Sequence, residues 1–424
     1  MQGPDFSHRA LPVDELSLLN ESEQGAAKRA ALPDRPQYTG RYFAVLRQKP
    51  SAGSLNRLFE HQAGLRLAST SDFPGSVTEV ERADIDALYY ERLGVVLLAG
   101  QAGQARLLAE ATNQVILQPE RIFYVPGAAG EPLPEPLVIP ATWGLTATGA
   151  AASALTGKGV RVAVLDTGFD AGHADFAGRH LVSKSFVPGE PTTQDYHGHG
   201  THCIGTACGR HHGPRTRYGV AGESEIYVGK IFGRGGASAG GWLLDAIDWA
   251  VANQCRVISL SLGAPVLPHQ GIDRYYELAG QDALAHNCII VAAAGNDSSR
   301  RDDVIAPVSS PANCASILAV AAVDAQYGVA DFSGAAINPH QLIDIAAPGV
   351  GVYSSWVSAP DQPAYRTISG TSMATPHVAG VLALLWEKFP NFTAAEIVAE
   401  LRRLARPLPH LLTSDVGAGL VQAP

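Results

Sequence analysis

Three stretches of this 424-residue chain gather side chains that together can break a covalent bond. The first is Gly370-Thr371-Ser372-Met373-Ala374-Thr375-Pro376-His377-Val378-Ala379-Gly380, running into Val381-Leu382-Ala383-Leu384-Leu385-Trp386. The apolar run predicts a helix buried through a core, with Ser372 in its first turn. Unpaired N–H groups and the positive end of the helix dipole favour a developing anion there. A hydroxyl is a weak nucleophile at neutral pH, so Ser372 needs a base; alone, it reads as a helix cap. Asp195-Tyr196-His197-Gly198-His199-Gly200-Thr201-His202-Cys203-Ile204-Gly205 offers three imidazoles. Val160-Arg161-Val162-Ala163-Val164-Leu165-Asp166-Thr167-Gly168 reads as a strand that delivers a carboxylate at its end, where open parallel sheets carry their sites. Imidazole titrates near neutrality and accepts the serine proton. A carboxylate on its other N–H fixes the tautomer and stabilises the imidazolium.

Asp, then His, then Ser is one of three chain orders known for hydrolytic triads. In Leu165-Asp166-Thr167-Gly168, His199-Gly200-Thr201-His202-Cys203 and Gly370-Thr371-Ser372-Met373-Ala374 the chain resembles the subtilisin-like serine peptidases, closest to their proteinase K side. The resemblance implies Ser372 as nucleophile, His199 as base and Asp166 as its orienter. His199 is the histidine followed by Gly-Thr-x-Cys, which leaves His197 and His202 as surface or core residues. Cys288-Ile289-Ile290-Val291-Ala292-Ala293-Ala294-Gly295-Asn296 reads as a buried strand ending in an amide. By itself Asn296 is a turn former; by resemblance its NH₂ and the Ser372 N–H form the oxyanion hole. Lys230–Ser238 and Ser259–Gly263 resemble the two edges between which these enzymes lay an extended peptide by strand addition. Gly236 and Gly263 permit close backbone approach. Ser261, Leu262, Gly263, Ala294 and Gly295 would line the pocket for the residue before the scissile bond. Their small, apolar character favours a medium or large apolar side chain, with Asp297 at the rim leaving a basic one as the alternative.

Composition sets bounds. At 46% hydrophobic and 17% charged, the chain has enough apolar surface for a large core and two domains. A net charge of −9 and a pI of about 5.9 argue against nucleic acid or an anionic membrane as partner. No apolar run approaches the roughly 20 residues of a membrane span. Met1–Arg9 lacks the basic-then-apolar pattern of a signal peptide, so the protein is read as cytoplasmic, or exported with its leader removed. The five cysteines, 203, 208, 255, 288 and 314, are odd in number and read as reduced core thiols. On a helix opened by His199, Cys203 shares the histidine's face.

The elements that must position these residues divide unevenly. Residues 1–36 form a flexible N-terminal segment, and 37–125 carry the pattern of a small α+β unit. There Tyr38–Gln48, Val77–Glu81, Leu93–Ala99 and Val115–Val125 read as strands, with Ser54–Leu65 and Gln101–Thr112 as helices. That βαββαβ order is the ferredoxin-like split-βαβ layout, and it resembles a subtilase propeptide, an intramolecular inhibitor. Residues 126–140 form a stiff Pro-rich linker with the processing site, and 141–424 the catalytic domain. Val160–Leu165, Glu225–Ile231, Arg256–Leu260, Cys288–Ala293 and Ile317–Ala322 predict a doubly wound, mostly parallel α/β sheet.

The expected function is a serine endopeptidase acting on protein or peptide substrates, made as a zymogen and requiring no cofactor for its chemistry. By resemblance a structural Ca²⁺ would bind the carbonyls of Ala315 and Ile317 and the carboxylate of Asp344, which otherwise is a strand-end turn residue. Two other readings stand beside it. One is a metal-dependent amidohydrolase built on His197, His199 and His202. The other is a regulatory binding protein whose N-terminal unit never leaves.

Overall fold

The computed structural model describes residues 35–48, 52–73, 85–99, 105, 108, 114–125, 130–132, 139–210, 216–357 and 364–424. The segment 1–34, the Val77–Glu81 strand, most of the Gln101–Thr112 helix and most of the linker lie outside them.

The N-terminal unit contains β1 (Tyr38–Leu46), β2 (Leu67–Ser69), β3 (Ala87–Tyr90), β4 (Val95–Leu98) and β5 (Val115–Tyr124). Strand β1 lies between β4 and β5, antiparallel to both, and β3 pairs antiparallel with β4. The order β5-β1-β4-β3 is the split-βαβ arrangement. A short helix, Ala52–Asn56, continues as a π-helical turn through Gln62. Its Leu55, Leu58 and Phe59 pack on Ala44, Val96 and Leu98 of the sheet. The hairpin partner of β4 is Ala87–Tyr90, a run the sequence reading assigned to no element. All four of its residues are buried, so it shows no two-residue alternation.

Strand β6 (Gly130–Pro132) follows, and then β7 (Arg161–Asp166), β8 (Leu181–Ser185), β9 (Glu225–Lys230), β10 (Ala237–Ala239), β11 (Val257–Leu260), β12 (Ile289–Ala293), β13 (Leu318–Val323) and β14 (Ile345–Pro348). Seven of these form one sheet in the order β14-β13-β12-β11-β7-β9-β8, parallel throughout. Its order reverses at β7, and Asp166 ends that strand. The apolar runs anticipated five strands. The other two gave weak signals: β8 is a half-exposed Leu-Val-Ser-Lys-Ser edge, and β14 is two alanines between Ile345 and Pro348. The helix Thr371–Lys388 packs on β11 to β14 and on the helix His199–Cys208, with every residue from Thr371 to Trp386 buried. An all-round apolar helix belongs to a core.

The N-terminal sheet rests on two further helices, Gly240–Ala252 and Arg274–Ala285. Phe43 stacks on Tyr275 with ring centroids 4.0 Å apart, and one apolar cluster runs through both units. Strand β5 also pairs antiparallel with β10, so the catalytic unit adds a sixth strand to that sheet. A third sheet joins β15 (Val352–Ser355) and β16 (Tyr365–Ile368) to β6.

Candidate active site

His199 opens its helix because the preceding turn is tied down by a buried carboxylate. Asp195 Oδ1 accepts the N–H groups of His197 and Gly198, each at 2.9 Å, and Oδ2 accepts the N–H and hydroxyl of Thr201. Burial pushes Asp195 upward, but these hydrogen bonds outweigh it and hold the carboxyl below its usual range. Sequence reasoning gave Asp195 no role, although an aspartate just ahead of a helix start is a capping signal. His199 Nδ1 then meets Asp166 Oδ1 at 2.8 Å and Oδ2 at 3.0 Å. Both residues are almost fully buried. Burial alone would push the imidazole pKa down; the Asp166 carboxylate, with Cys203, reverses this and raises it well above the ordinary value. With Nδ1 on the carboxylate, Nε2 is the nitrogen left for proton transfer.

Ser372 sits at the second position of its helix, and a proline four residues on explains how it is gripped. Pro376 has no N–H to give the Ser372 carbonyl. That carbonyl accepts instead from Ser261 Oγ at 2.8 Å and from Cys203 Sγ at 3.6 Å. Cys203 Sγ also lies 3.8 Å from His199 Nδ1, so the thiol touches both halves of the site, as its spacing predicts. Ser372 Oγ donates to the Ser261 carbonyl at 3.1 Å, and His199 Nε2 has no hydrogen-bond partner. For Ser372 to serve as a nucleophile its hydroxyl would have to turn from Ser261 to that nitrogen.

Asn296 completes the cluster. Its Oδ1 accepts both the N–H and the hydroxyl of Thr371 at 2.8 Å, so Nδ2 is the end of the amide not used in holding Thr371. Asn296, Ser372, Leu262, Gly263 and Gly295 line one pocket together with Ser309 and Asp297. Gly295 has φ +105°, and a Cβ there would fall 2.2 Å from Ser309 Oγ. Of the remaining predicted lining residues, Ser261 is taken up with Ser372, and Ala294 is buried with its carbonyl accepting the Ser309 N–H. Gly236 and Gly263 are occupied by the chain itself. The Val125 N–H donates to the Gly236 carbonyl at 2.9 Å, and Tyr124 bridges antiparallel to Gly263.

The residues proposed as metal ligands behave differently. His202 Nε2 faces the carbonyls of Val352 and Arg366 at 3.0 and 3.2 Å, and burial pushes its pKa down to about 3. The His197 and His199 rings are 6.3 Å apart at their centroids. The three histidines therefore do not converge, and the zinc amidohydrolase reading has no site. Among the described residues one cluster of metal-type ligands occurs, Asp166, His199 and Cys203, and its imidazole and carboxylate are bonded to each other. The calcium expectation also needs correction. Asp344 Oδ1 accepts from Arg402 at 2.6 Å, and Oδ2 accepts the Ala319 N–H at 2.8 Å. Both oxygens of the one carboxylate are engaged and a guanidinium already supplies the positive charge, so Asp344, Ala315 and Ile317 do not fit a divalent cation. All five cysteines are free and buried. No helix among the described residues is long and apolar enough to cross a membrane.

The model of the subtilase family, peptidase S8, matches residues 157–419. M-protease of Shouchella clausii (strain KSM-K16) is 38% identical over 284 residues, covering 66% of this chain and 68% of that protein. Subtilisin Savinase of Lederbergia lenta is 38% identical over 284 residues, 66% of this chain and 96% of that protein. Fervidolysin from Fervidobacterium pennivorans, described as a keratinolytic enzyme related to subtilisin, has a similar fold, with a TM-score of 0.68 and 23% identity. That match covers 92% of this chain, which spans 61% of fervidolysin's length. A parallel sheet reversing at Asp166, an aspartate–histidine pair beside a helix-borne serine and these matches lead to one assignment: the chain belongs to the subtilase family of serine peptidases.

Proposed function

We propose that Ser372, His199 and Asp166 hydrolyse peptide bonds through an acyl-enzyme, and that residues 37–125 hold the enzyme shut until they are cut away. In this reading Ser372 Oγ attacks the carbonyl while His199 Nε2 takes its proton. The oxyanion forms between Asn296 Nδ2 and the Ser372 N–H. His199 then gives the proton to the leaving amine, and water repeats the sequence to free the acid. The pocket of Leu262, Gly263 and Gly295 supports a preference for apolar side chains, with Asp297 and Ser309 as the groups that would admit a basic one.

One observation carries the zymogen reading: the end of β5 lies between Gly236 and Gly263, the two edges a substrate would use. Docking is reinforced at two helix starts. Glu120 accepts the Gly241 N–H at 2.6 Å at the first turn of Gly240–Ala252. Arg121 pairs with Asp273, the residue capping Arg274–Ala285, at 2.6 Å. A tethered strand competes with substrate at high effective concentration. The test has two arms. Ser372→Ala should abolish peptide hydrolysis and leave the full chain uncut, and a fragment spanning Tyr38 to Val125 should inhibit the processed wild-type enzyme in trans. An active Ser372→Ala variant would defeat the serine mechanism. A fragment inert at micromolar concentration, itself uncut, would defeat the zymogen reading.

A further inference from the structure

Strand β9 ends in a lysine that the chemistry of hydrolysis leaves without a task. Lys230 stands opposite Asp166 in the register of β7 and β9, and its side chain is only 1% exposed. Burial pushes its pKa below the ordinary value, although Glu190 and Asp195 pull it part of the way back. A buried ammonium is costly, and an apolar side chain in such a place is often at least as stable. The contacts of Lys230 give it a purpose. Its Nζ donates to the Thr167 carbonyl at 2.9 Å and lies 3.5 Å from Glu190 Oε2. Glu190 Oε1 in turn accepts the Arg234 N–H at 2.8 Å, inside the turn Gly233–Gly236. From this we propose that Lys230 and Glu190 are positioning residues for the reaction, linking the turn Gly233–Gly236 to the peptide unit that holds Asp166. The proposal rests on the peptidase reading above.

Each end of this link reaches a part of the molecule that matters to turnover. At one end is Thr167, whose N–H donates to Asp166 Oδ1 at 2.7 Å. The Thr167 hydroxyl donates to Asp195 Oδ1 at 2.9 Å and accepts the Gly200 N–H at 2.8 Å. Thr167 thus touches the carboxylate that orients His199, the carboxylate that ties down the preceding turn, and the first turn of the helix itself. Its carbonyl is the remaining polar group, and Lys230 holds it. A tilt of this residue would carry its N–H away from Asp166 and loosen the grip on His199. At the other end, the Gly236 N–H closes the turn on the Gly233 carbonyl at 2.8 Å, and the Gly236 carbonyl takes the Val125 N–H. A second tie runs alongside. The exposed ring of Tyr196, two residues ahead of Gly198, lies 4.1 Å from the Arg234 guanidinium and 5.7 Å from the Lys230 ammonium. The edge that receives an extended strand and the groups that aim His199 are therefore joined through one ammonium–carboxylate pair.

A link of this kind acts on rate. Lys230 is too deeply buried to meet a substrate, so cutting the link should lower kcat and leave KM nearly unchanged. Lys230→Met keeps the length of the side chain and removes its charge and its donors. Glu190→Gln is nearly isosteric but has a single acceptor, so it can serve Arg234 or Lys230 and not both. Both variants and their double are made in the full-length chain and assayed on one peptide substrate after processing. A serine-directed fluorophosphonate counts the competent sites, so that misfolded molecules do not enter the rate. We expect each single variant to lose about tenfold or more in kcat, with KM held within about twofold. The double variant should be no slower than the slower single one, because both substitutions cut the same link. An unchanged kcat, a loss confined to KM, or losses that multiply in the double variant would overturn the proposal. If Lys230→Met yields no competent sites, Glu190→Gln decides alone by the same split between kcat and KM. A wild-type chain that cleaves no peptide overturns the peptidase reading and the link with it. An active wild type with variants of equal kcat overturns the link alone.

Discussion

The catalytic centre and the face that receives the N-terminal unit both bury charge at the ends of strands and the starts of helices, but they satisfy it in opposite ways. At the centre, Asp166, Asp195, His199 and Ser372 all find partners within the catalytic unit, and nothing there has to separate. At the docking face the partners lie on two bodies that, in the proposed zymogen reading, have to part. Glu120 would leave with Arg41, which bonds it at 2.6 and 2.7 Å, and Asp273 would remain with the hydroxyl of Ser310. Two full charge pairs are split: Arg121 with Asp273, both buried, and Arg92 with Asp248, both partly exposed. A separable interface can hold buried carboxylates cheaply if each keeps a partner on its own side. Arg121 is where that arrangement is exposed to loss.

Substitutions should therefore report as rate at one region and as affinity at the other. Asn296→Ala should lower turnover about 10²–10³-fold with little change in KM, the range known for subtilisin's own oxyanion-hole asparagine. Steady-state kinetics on a peptide substrate decide it, and a loss confined to KM would make Asn296 a binding residue. At the docking face, Arg121→Ala in the inhibitory fragment should weaken inhibition by about 2–5 kcal/mol, roughly 30-fold or more, because Asp273 is left buried with its hydroxyl partner alone. Glu120→Gln should cost less, since Arg41 and Thr39 stay on its own side. Inhibition constants for the three fragments settle the order. Equal losses would mean that the docking face does not lean on the Arg121–Asp273 pair.

The centre also has a pH signature of its own. Only neutral imidazole accepts the serine proton, so kcat/KM rises with pH through the His199 pKa. Burial pushes that pKa down and Asp166 pushes it further up, so the net direction is upward. The acid limb should accordingly lie above the free-histidine value of about 6.5, falling tenfold per unit below it. A pH profile of kcat/KM with its limb at or under that value would contradict the pairing.

What the sequence makes legible follows the same division. Asp166, His199, Ser372 and Asn296 stand at strand ends and helix starts, where a short local pattern decides both the element and the place of the side chain. Five strands of the main sheet announce themselves as apolar runs for the same reason. The edge strands β8 and β14 are too polar or too small to do so. The docking residues are beyond local reading altogether. Arg121 meets Asp273 across 152 positions, and Tyr90 donates to Asp245 across 155. Arg402, 58 positions from Asp344, is likewise a partner that no local pattern announces.

The Arg402–Asp344 pair gives the smallest effect and a direct test of whether this carboxylate needs a cation. Arg402 is half exposed at 49%, whereas the Asp344 side chain is only 9% exposed, so the pair gains moderately from Coulomb attraction and chiefly neutralises a nearly buried carboxylate. Because the guanidinium comes from the helix Ala394–Leu404 of the same unit, no chelator can remove it. Excess EDTA should leave the wild-type melting temperature unchanged. Arg402→Ala keeps the Ala319 N–H on Asp344 but frees the other oxygen. The variant should lose about 1 kcal/mol, or roughly 2–4 °C. Millimolar Ca²⁺ should restore part of that loss in the variant and do nothing for the wild type. Thermal melts of both proteins, with chelator and with calcium, provide the comparison. A wild-type enzyme destabilised by EDTA would place a cation within the fold after all, and the Arg402–Asp344 pair would cease to explain the site.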